Sequence, residues 1–154
     1  MAWITPKTDW HSTYDGAGEY VEDFFNITDY NRIKNNLMYL REIGGELFYP
    51  LPTITVGADK HYPIAGSPDF DNDNYFADEI MLIENGLEAL DNAIGLFNHG
   101  EKKEYYENSA FIGYAELNRI ESAELELYNY ITDSIAGKTR LAMRFGQREN
   151  VIRV

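Results

Sequence analysis

The sequence predicts a mainly α-helical domain in which three helices form a bundle, with extended arms at both ends. Apolar residues recur at spacings of three and four in three stretches of the 154-residue chain, which is the period of an amphipathic helix. Two of these stretches open on nearly the same phrase, DYNRI at residues 29–33 and ELNRI at residues 116–120. Three similar helices in one short chain favour a bundle.

The first helix is predicted over about residues 28–43. Thr28 is placed as its N-cap, and Ile27 before it as a hydrophobic staple. A Gly44-Gly45 pair stops it. Residues 1–26 form an N-terminal arm of irregular structure, because Pro6 and glycines interrupt it. Its predicted anchors are Trp3, Trp10, Phe24 and Phe25.

The second helix is predicted over about residues 76–99 and the third over about 114–136. The second carries a heptad seam, and a faint third copy of the repeated phrase starts at its Glu79. In the third, Glu124 interrupts the apolar stripe, which is therefore expected to shift toward Tyr128. Arg32 and Arg119 lie beside their seams and are expected to bridge to carboxylates on neighbouring helices. The seam of the second helix consists of Ile80, Ile83, Leu87, Leu90, Ile94 and Phe97.

A long proline-containing loop, residues 46–75, joins the first two helices and holds four of the five prolines. A short strand over residues 53–56 is possible within it. So long a connection is uncommon unless it serves binding. The first two helices and this loop belong to a bundle predicted over residues 27–137.

Three aspartates of this loop suggest a calcium site. Asp69, Asp71 and Asp73 match the first, third and fifth positions of an EF-hand loop. The twelfth position should be a glutamate, but it is Ile80, and no helix precedes the loop. A cluster of turns that caps the second helix is the preferred interpretation, so no cofactor is expected and calcium remains the alternative.

The C-terminal segment, residues 138–154, is predicted to be a basic arm containing a β-strand. Apolar and more polar residues alternate there, as in a strand with two different faces. The segment has five basic residues and one acid, whereas the rest of the chain has a net charge of −17. It can dock on its own body or on a neighbour. Its predicted interface residues are Arg140, Leu141, Met143, Arg144 and Phe145.

Composition excludes several classes of function. The net charge of −13 argues against a non-specific nucleic-acid binder, because phosphate contacts need a basic surface. There is no cysteine, so thiolate metal sites and cysteine nucleophiles are excluded. His11, His61 and His99 are scattered, and no catalytic or phosphate-binding motif occurs. The sequence therefore predicts no enzyme.

Neither a secretory signal nor an apolar run of the roughly 20 residues that span a bilayer is present in the sequence. We therefore expect a soluble protein made in the cytoplasm, with no membrane partner. Tyrosines are clustered at Tyr105-Tyr106 and at Tyr128 with Tyr130. They suit either a protein interface or packing beneath the long loops.

The motif WITPKTDW at residues 3–10, followed by FNITDYNRI at 25–33, resembles the opening of small structural proteins from the tail and baseplate of tailed phages and prophages of Gram-positive bacteria. FADEIMLIENGLEAL and YAELNRIE are also similar to that family's second and third helix openings. The resemblance covers most of the chain up to about Ile135. It departs at HSTYDGAGEYV, residues 11–21, which looks like an insertion.

This resemblance implies a virion component of a tail, baseplate or fibre attachment, synthesised in the host cytoplasm. Such a protein is a non-enzymatic structural protein or adaptor whose partners are other tail proteins, and it is expected to be a homo-oligomer in the assembly. Replacing Trp10 is then expected to weaken assembly more than folding. The alternatives are an acidic inhibitor that mimics DNA and a small hydrolase acting on cell-wall sugar.

Overall fold

A computed structural model describes residues 2–14, 17–47, 50–61, 77–95, 98–107 and 110–149 of the chain, with side chains described up to residue 140. Three helices pack against one another: α1 (Ile27–Gly44), α2 (Ala77–Ile94) and α3 (Tyr114–Glu149). A small hairpin of β1 (Ser12–Tyr14) and β2 (Tyr20–Glu22) precedes them. The mainly α-helical three-helix bundle predicted from the sequence is confirmed.

Helix α1 begins one residue before its predicted start because Asn26, not Thr28, is the N-cap. The Asn26 side chain accepts hydrogen bonds from the backbone N–H groups of Thr28 and Asp29. The Asp29 carboxylate in turn accepts from the backbone N–H of Asn26, at 3.2 Å. This reciprocal capping box satisfies N–H groups that have no partner inside the helix. It also places a negative charge at the positive end of the helix dipole.

All three helices run in the same direction. Near the starts of α1 and α3, Arg32 bonds to Glu121. At the end of α1, a Cβ on Gly44 would lie 3.3 Å from the Cδ1 of Ile131. Helix α2 runs the same way, because its Glu79 and the Tyr30 of α1 both lie beside Gly57 near the helix starts, and a Cβ on its Gly86 would lie 2.7 Å from the Cδ2 of Leu37 further along both helices. Parallel helices need long connections, since the chain must return along the bundle before each new helix begins.

The core is built in layers to which each helix gives one residue. Counted from Asp29, Glu79 and Glu116, equivalent positions are buried in all three helices, as the apolar seams predict. The seam of α2 is confirmed from Ile80 to Ile94, whereas Phe97 lies outside the described residues. Helix α2 ends five residues before its predicted end, because Gly95 takes a φ of 67° that terminates a helix. The layers are Tyr30, Ile80 and Leu117; Ile33, Ile83 and Ile120; Leu37, Leu87 and Glu124; Leu40, Leu90 and Leu127; Gly44, Ile94 and Ile131.

The apolar stripe of α3 does not shift at Glu124, contrary to the prediction. Glu124 remains in the core with 0% exposure, and Leu127 is equally buried, whereas Tyr128 is half-buried. Leu117, Ile120, Leu127 and Ile131 on the same face are at most 1% exposed, and their burial holds the helix in this rotation. The stripe prediction failed because it assumed that a carboxylic acid must reach water.

The predicted C-terminal β-strand is also wrong, because α3 continues to Glu149. Alternation over Leu141 to Phe145 is short, and the local residues Leu, Ala, Met, Arg and Gln are good helix formers. A helix that is already nucleated extends at little cost. Helix α3 therefore has 36 residues, against 18 in α1 and in α2. Residues 132–149 continue beyond the ends of the other two helices for about 27 Å.

The arm and the loop differ from their predictions in detail. The N-terminal arm is not wholly irregular, because Ser12 pairs with Glu22 and Tyr14 with Tyr20 in the antiparallel hairpin. Residues 53–56 are extended but form no strand with any described residue. Ile54 instead lies in the core, beside Gly86. Of the long loop, residues 48–49 and 62–75 are outside the described part of the chain.

Replacing Gly86 by alanine is expected to destabilise the fold by about 1–2 kcal/mol. The new Cβ would lie 2.7 Å from Leu37 and 2.9 Å from the Cγ2 of Ile54, and such overpacking outweighs the gain of about 1 kcal/mol in helix propensity. Urea denaturation followed by circular dichroism measures the change. Gly137→Ala is the control, because nothing lies within 4 Å of its Cβ position in the same class of element. A Gly86 variant as stable as that control would contradict this packing.

Candidate interaction surface

Asparagine amides on the helices hold extended segments of the chain. The Asn118 side chain accepts from the N–H of Trp10 at 2.8 Å and donates to the carbonyl of Trp10 at 2.9 Å. Asn31, its counterpart in the repeated phrase, makes the same two bonds with Lys60, at 2.8 and 2.7 Å. Each amide thus satisfies one backbone donor and one backbone acceptor, as a neighbouring strand does in a β-sheet.

Two further contacts extend this arrangement. Asn36 of α1 binds both backbone groups of Ile4, at 3.1 and 2.7 Å. On α2, Met81 stands where the other helices have Asn31 and Asn118, and its sulfur accepts from the N–H of Tyr105 at 3.3 Å. Three extended segments therefore lie along the bundle, each bound at the start of a different helix. The repeated phrase is what binds two of them.

The repeated arginines join the helices, as predicted. Arg32 of α1 donates twice to Glu121 of α3, at 3.1 and 2.7 Å. Arg119 of α3 donates to Glu84 of α2 and to the carbonyl of His99, the latter at 2.8 Å. Each arginine also pairs with the acid three residues before it. Both interhelical carboxylates have 0% exposure, so the arginines compensate charges that would otherwise be buried alone.

Trp10, a predicted interface residue, lies inside the protein. Its exposure is 4%, and its indole N–H donates to Glu121 at 2.8 Å. The ring packs against Phe25 with 5.9 Å between centroids. Trp3 also lies against its own chain, stacked on Tyr128 at 4.2 Å with the rings 5° from parallel. Both tryptophans therefore attach the N-terminal arm to the helices.

Phe24, another predicted interface residue, is on the surface with 74% of its area exposed. Together with Phe111, which is 54% exposed, it borders an open groove of about 380 Å³. Half-buried Phe25 lies at its base, 6.0 Å from Phe111. We call this the aromatic groove. Its lining residues are Glu22, Asp23, Phe24, Phe25, Phe111, Ile112, Gly113, Tyr114 and Leu117.

The hairpin extends the aromatic surface beside this groove. Tyr14 and Tyr20 are 71% and 56% exposed, and their rings meet edge to face at 5.6 Å. The Tyr20 hydroxyl donates to Glu22 of the same strand at 2.9 Å, and Glu22 also lines the groove. Sequence reasoning named Phe24 and Phe25 but missed Phe111, Tyr14 and Tyr20. The pairing of residues far apart in the chain is what brings them together.

The acids of the groove are held in place by the arm. The hydrogen bond from Lys7, at 2.9 Å, lowers the pKa of Asp23, and the N–H of His11 adds to the effect. The Tyr114 hydroxyl donates to the carbonyl of Asp23 at 2.8 Å and so ties the arm to the start of α3. The groove therefore combines exposed aromatic rings, which are enriched at protein interfaces, with two acidic side chains.

The remaining predicted site residues divide into two groups. Arg140 is exposed on the projecting part of α3. The backbone of α3 includes Leu141, Met143, Arg144 and Phe145, whose side chains lie outside the description. The calcium candidates Asp69, Asp71 and Asp73 also lie outside the described residues. Within the part that the structure describes, no three histidines or acids are grouped as metal ligands.

Glu124 is a buried acid with no hydrogen bond to either carboxyl oxygen among the described residues. Burial raises the pKa of Glu124 well above its usual value of 4.5, and the charge of Glu121 raises it further. The neighbouring Asn36 amide and Arg32 lower it without offsetting burial. Glu124 therefore holds its proton to a higher pH than an ordinary glutamate does, in a layer whose other members are leucines.

Replacing Glu124 by leucine is expected to stabilise the fold by about 2 kcal/mol at pH 8, because a buried polar group without partners is removed. Below pH 4.5 the Glu124 carboxyl is protonated in both the folded and the unfolded state, so the raised pKa does not lower the free energy of unfolding. Above it the unfolded chain releases the proton while the folded chain keeps it, so wild-type stability falls as pH rises toward the folded pKa. The advantage of Glu124→Leu should therefore shrink at pH 5.

Chemical denaturation of both proteins at pH 5 and pH 8 measures this difference. Glu126→Leu is the control, since Glu126 is exposed on the same helix and should change stability by less than about 0.5 kcal/mol. An equal gain for Glu124→Leu at both pH values would show that the carboxyl does not remain protonated in the folded state.

Comparison with known proteins adds no assignment: no family model, curated protein or solved structure matches this chain. Within the described residues, none of the helices combines the length and the apolar character needed to cross a membrane.

Proposed function

We propose that this chain is a non-enzymatic structural or adaptor protein that works through protein–protein contacts, as a part of a phage tail, baseplate or fibre attachment. The observation that supports the first part is the projection of α3, whose residues 132–149 continue beyond the other helices. Lys138, Thr139 and Arg140, the last side chains described on this part of α3, are exposed, and most helical stability in proteins comes from burial of apolar surface. A second molecule is the natural source of it.

The aromatic groove supports the same function from the other end of α3. Large exposed aromatic side chains are enriched where proteins bind one another, and Phe24, Phe111, Tyr14 and Tyr20 are all more than half exposed. The placement in a phage tail rests on the resemblance of the arm and helix openings to tail and baseplate proteins.

Quantitative mass spectrometry of purified virions, or of tail-like particles from the source strain, tests this proposal. We expect the chain at a fixed copy number, a multiple of three or six, as closed rings of tail subunits require. Its presence in infected-cell lysate and absence from purified particles would contradict the structural role. Salt-sensitive binding to a basic nucleic-acid-binding protein would then favour the inhibitor that mimics DNA.

A further inference from the structure

The two ends of α3 carry complementary chemistry. At its start lies the aromatic groove, next to the acidic segment of residues 11–29, which has five acids and no lysine or arginine. At its other end, residues 138–154 have five basic residues and one acid, with Leu141, Met143 and Phe145 among them. An aromatic groove with acids and a helix with basic and apolar residues are matched in both charge and polarity.

These two surfaces cannot meet within one molecule. Tyr114, in the groove, and Lys138, where the basic segment begins, belong to the same continuous helix. Twenty-four residues of helix hold them about 36 Å apart. The helix would have to break for the basic segment to turn back on its own groove. Docking of the basic segment in the aromatic groove of its own molecule therefore conflicts with the fold.

We propose that the projecting end of α3, residues 138–149, docks in the aromatic groove of a second copy of this chain, so that copies assemble head to tail. This inference deepens the proposed function and rests on it for its biological setting. The interface uses a different surface on each molecule. Such contacts close into a ring or continue as a fibre, according to the rotation between neighbours.

The contacts that the groove offers suit this occupant. Phe24 and Phe111 present exposed faces on which apolar side chains pack and guanidinium groups stack. Glu22 and Asp23 line the same groove. Glu22 attracts the basic helix, whereas the charge of Asp23 is already compensated by Lys7 at 2.9 Å. A groove of about 380 Å³ takes a few side chains of one helix, which serve as anchors, rather than a whole domain.

The projecting helix gains stability from this docking. Lys138, Thr139 and Arg140 are exposed, and the Lys138 ammonium lies 3.5 Å from the carbonyl of Glu46, near the end of the bundle. Beyond that point about a dozen residues continue as helix, a length that is marginal in water without packing. Docking on a second molecule adds packing along this length and supplies the opposite charge.

Sedimentation velocity of the purified full-length chain over a range of concentrations tests the inference. We expect reversible association that weakens when sodium chloride is raised from about 0.05 M to about 0.5 M, since charges steer and hold the contact. Phe24→Asp should raise the dissociation constant at least about 30-fold, as for an interface anchor. Tyr106→Asp is its control, because Tyr106 is 64% exposed and does not line the groove.

The basic end has its own pair of variants. The double variant Arg140→Glu/Arg144→Glu should weaken association as much as Phe24→Asp does. The control is Lys102→Glu/Lys103→Glu, which changes the net charge equally at another site and should weaken association less. Circular dichroism and thermal melting must show that all four proteins remain folded. If the two pairs of charge reversals weaken association equally, the contact is not specific to the end of α3, and the inference is overturned.

Mixing the two defective proteins tests the head-to-tail geometry. Phe24→Asp keeps a working helix end, and Arg140→Glu/Arg144→Glu keeps a working groove. Together they have one intact contact, so they should form a one-to-one dimer that grows no further, although each alone is a monomer. Failure of the mixture to dimerise, or growth beyond the dimer, would overturn the inference.

The outcomes separate this inference from the proposed function. A wild-type chain that stays monomeric at every concentration and salt, yet is present in purified particles, overturns head-to-tail docking and leaves the structural role intact. A chain that assembles head to tail but is absent from particles supports the docking and removes the phage-tail role.

Discussion

Replacing Arg32 by methionine is expected to lower the free energy of unfolding by about 3–5 kcal/mol. The guanidinium makes two hydrogen bonds to Glu121, whose side chain has 0% exposure. Removing one partner of a buried ion pair leaves an uncompensated charge, which is far more costly than the net contribution of the intact pair. Urea denaturation at pH 7, followed by circular dichroism, measures the loss.

Arg41→Met is the matched control on the same helix. Arg41 donates to the carbonyl of Pro52 at 2.8 Å, and no buried carboxylate depends on that bond, so a loss of about 1 kcal/mol is expected. Adding Glu121→Gln to Arg32→Met should recover part of the stability, because the buried charge is then removed. A loss in Arg32→Met no larger than in Arg41→Met would show that Glu121 is not held by this arginine.

Replacing Trp10 by alanine is expected to lower the free energy of unfolding by about 3–5 kcal/mol. The substitution empties a core position with 4% exposure and removes the indole donor to Glu121. The sequence had predicted a larger effect on assembly than on folding for this residue. The buried position of Trp10 transfers the expected effect to folding, and thermal melting of the purified chain measures it.

Phe24→Ala is the control for Trp10→Ala. Phe24 belongs to the same arm but is 74% exposed, so its removal should change stability by less than about 0.5 kcal/mol. Trp10→Phe should fall between the two, because the ring remains while the hydrogen bond to Glu121 is lost. Equal melting temperatures for Trp10→Ala and Phe24→Ala would contradict the assignment of Trp10 to the core.

Much of the bundle could be predicted from the sequence, because the spacing of apolar residues shows which face of a helix is buried. The seam of α2 and the interhelical role of Arg32 and Arg119 were predicted in this way. The predicted C-terminal strand was wrong, since alternation over five residues is a weak signal and the preceding helix continues through them. Glu124 was misplaced because burial of a neutral acid depends on its neighbours, which no spacing reveals.

The candidate surface was only partly accessible to sequence reasoning. Phe24 and Phe25 were predicted at an interface, but so was Trp10, which has similar chemistry and lies in the same arm. The difference between them is set by Asn118, more than a hundred residues away, which holds the backbone of Trp10. Aromatic residues look alike in a sequence, and only the fold decides which of them faces water.

The sequence by itself determined that three helices form, where the apolar faces of α1 and α2 lie, and that the basic charge is concentrated at one end of an acidic chain. These are local properties, set by spacing, capping and composition. The tertiary structure alone decided that the helices are parallel, that an acid completes a core layer, and that the aromatic groove and the basic end lie at opposite ends of α3. Each of those depends on contacts between residues far apart in the chain, and their energies exist only once the helices have packed.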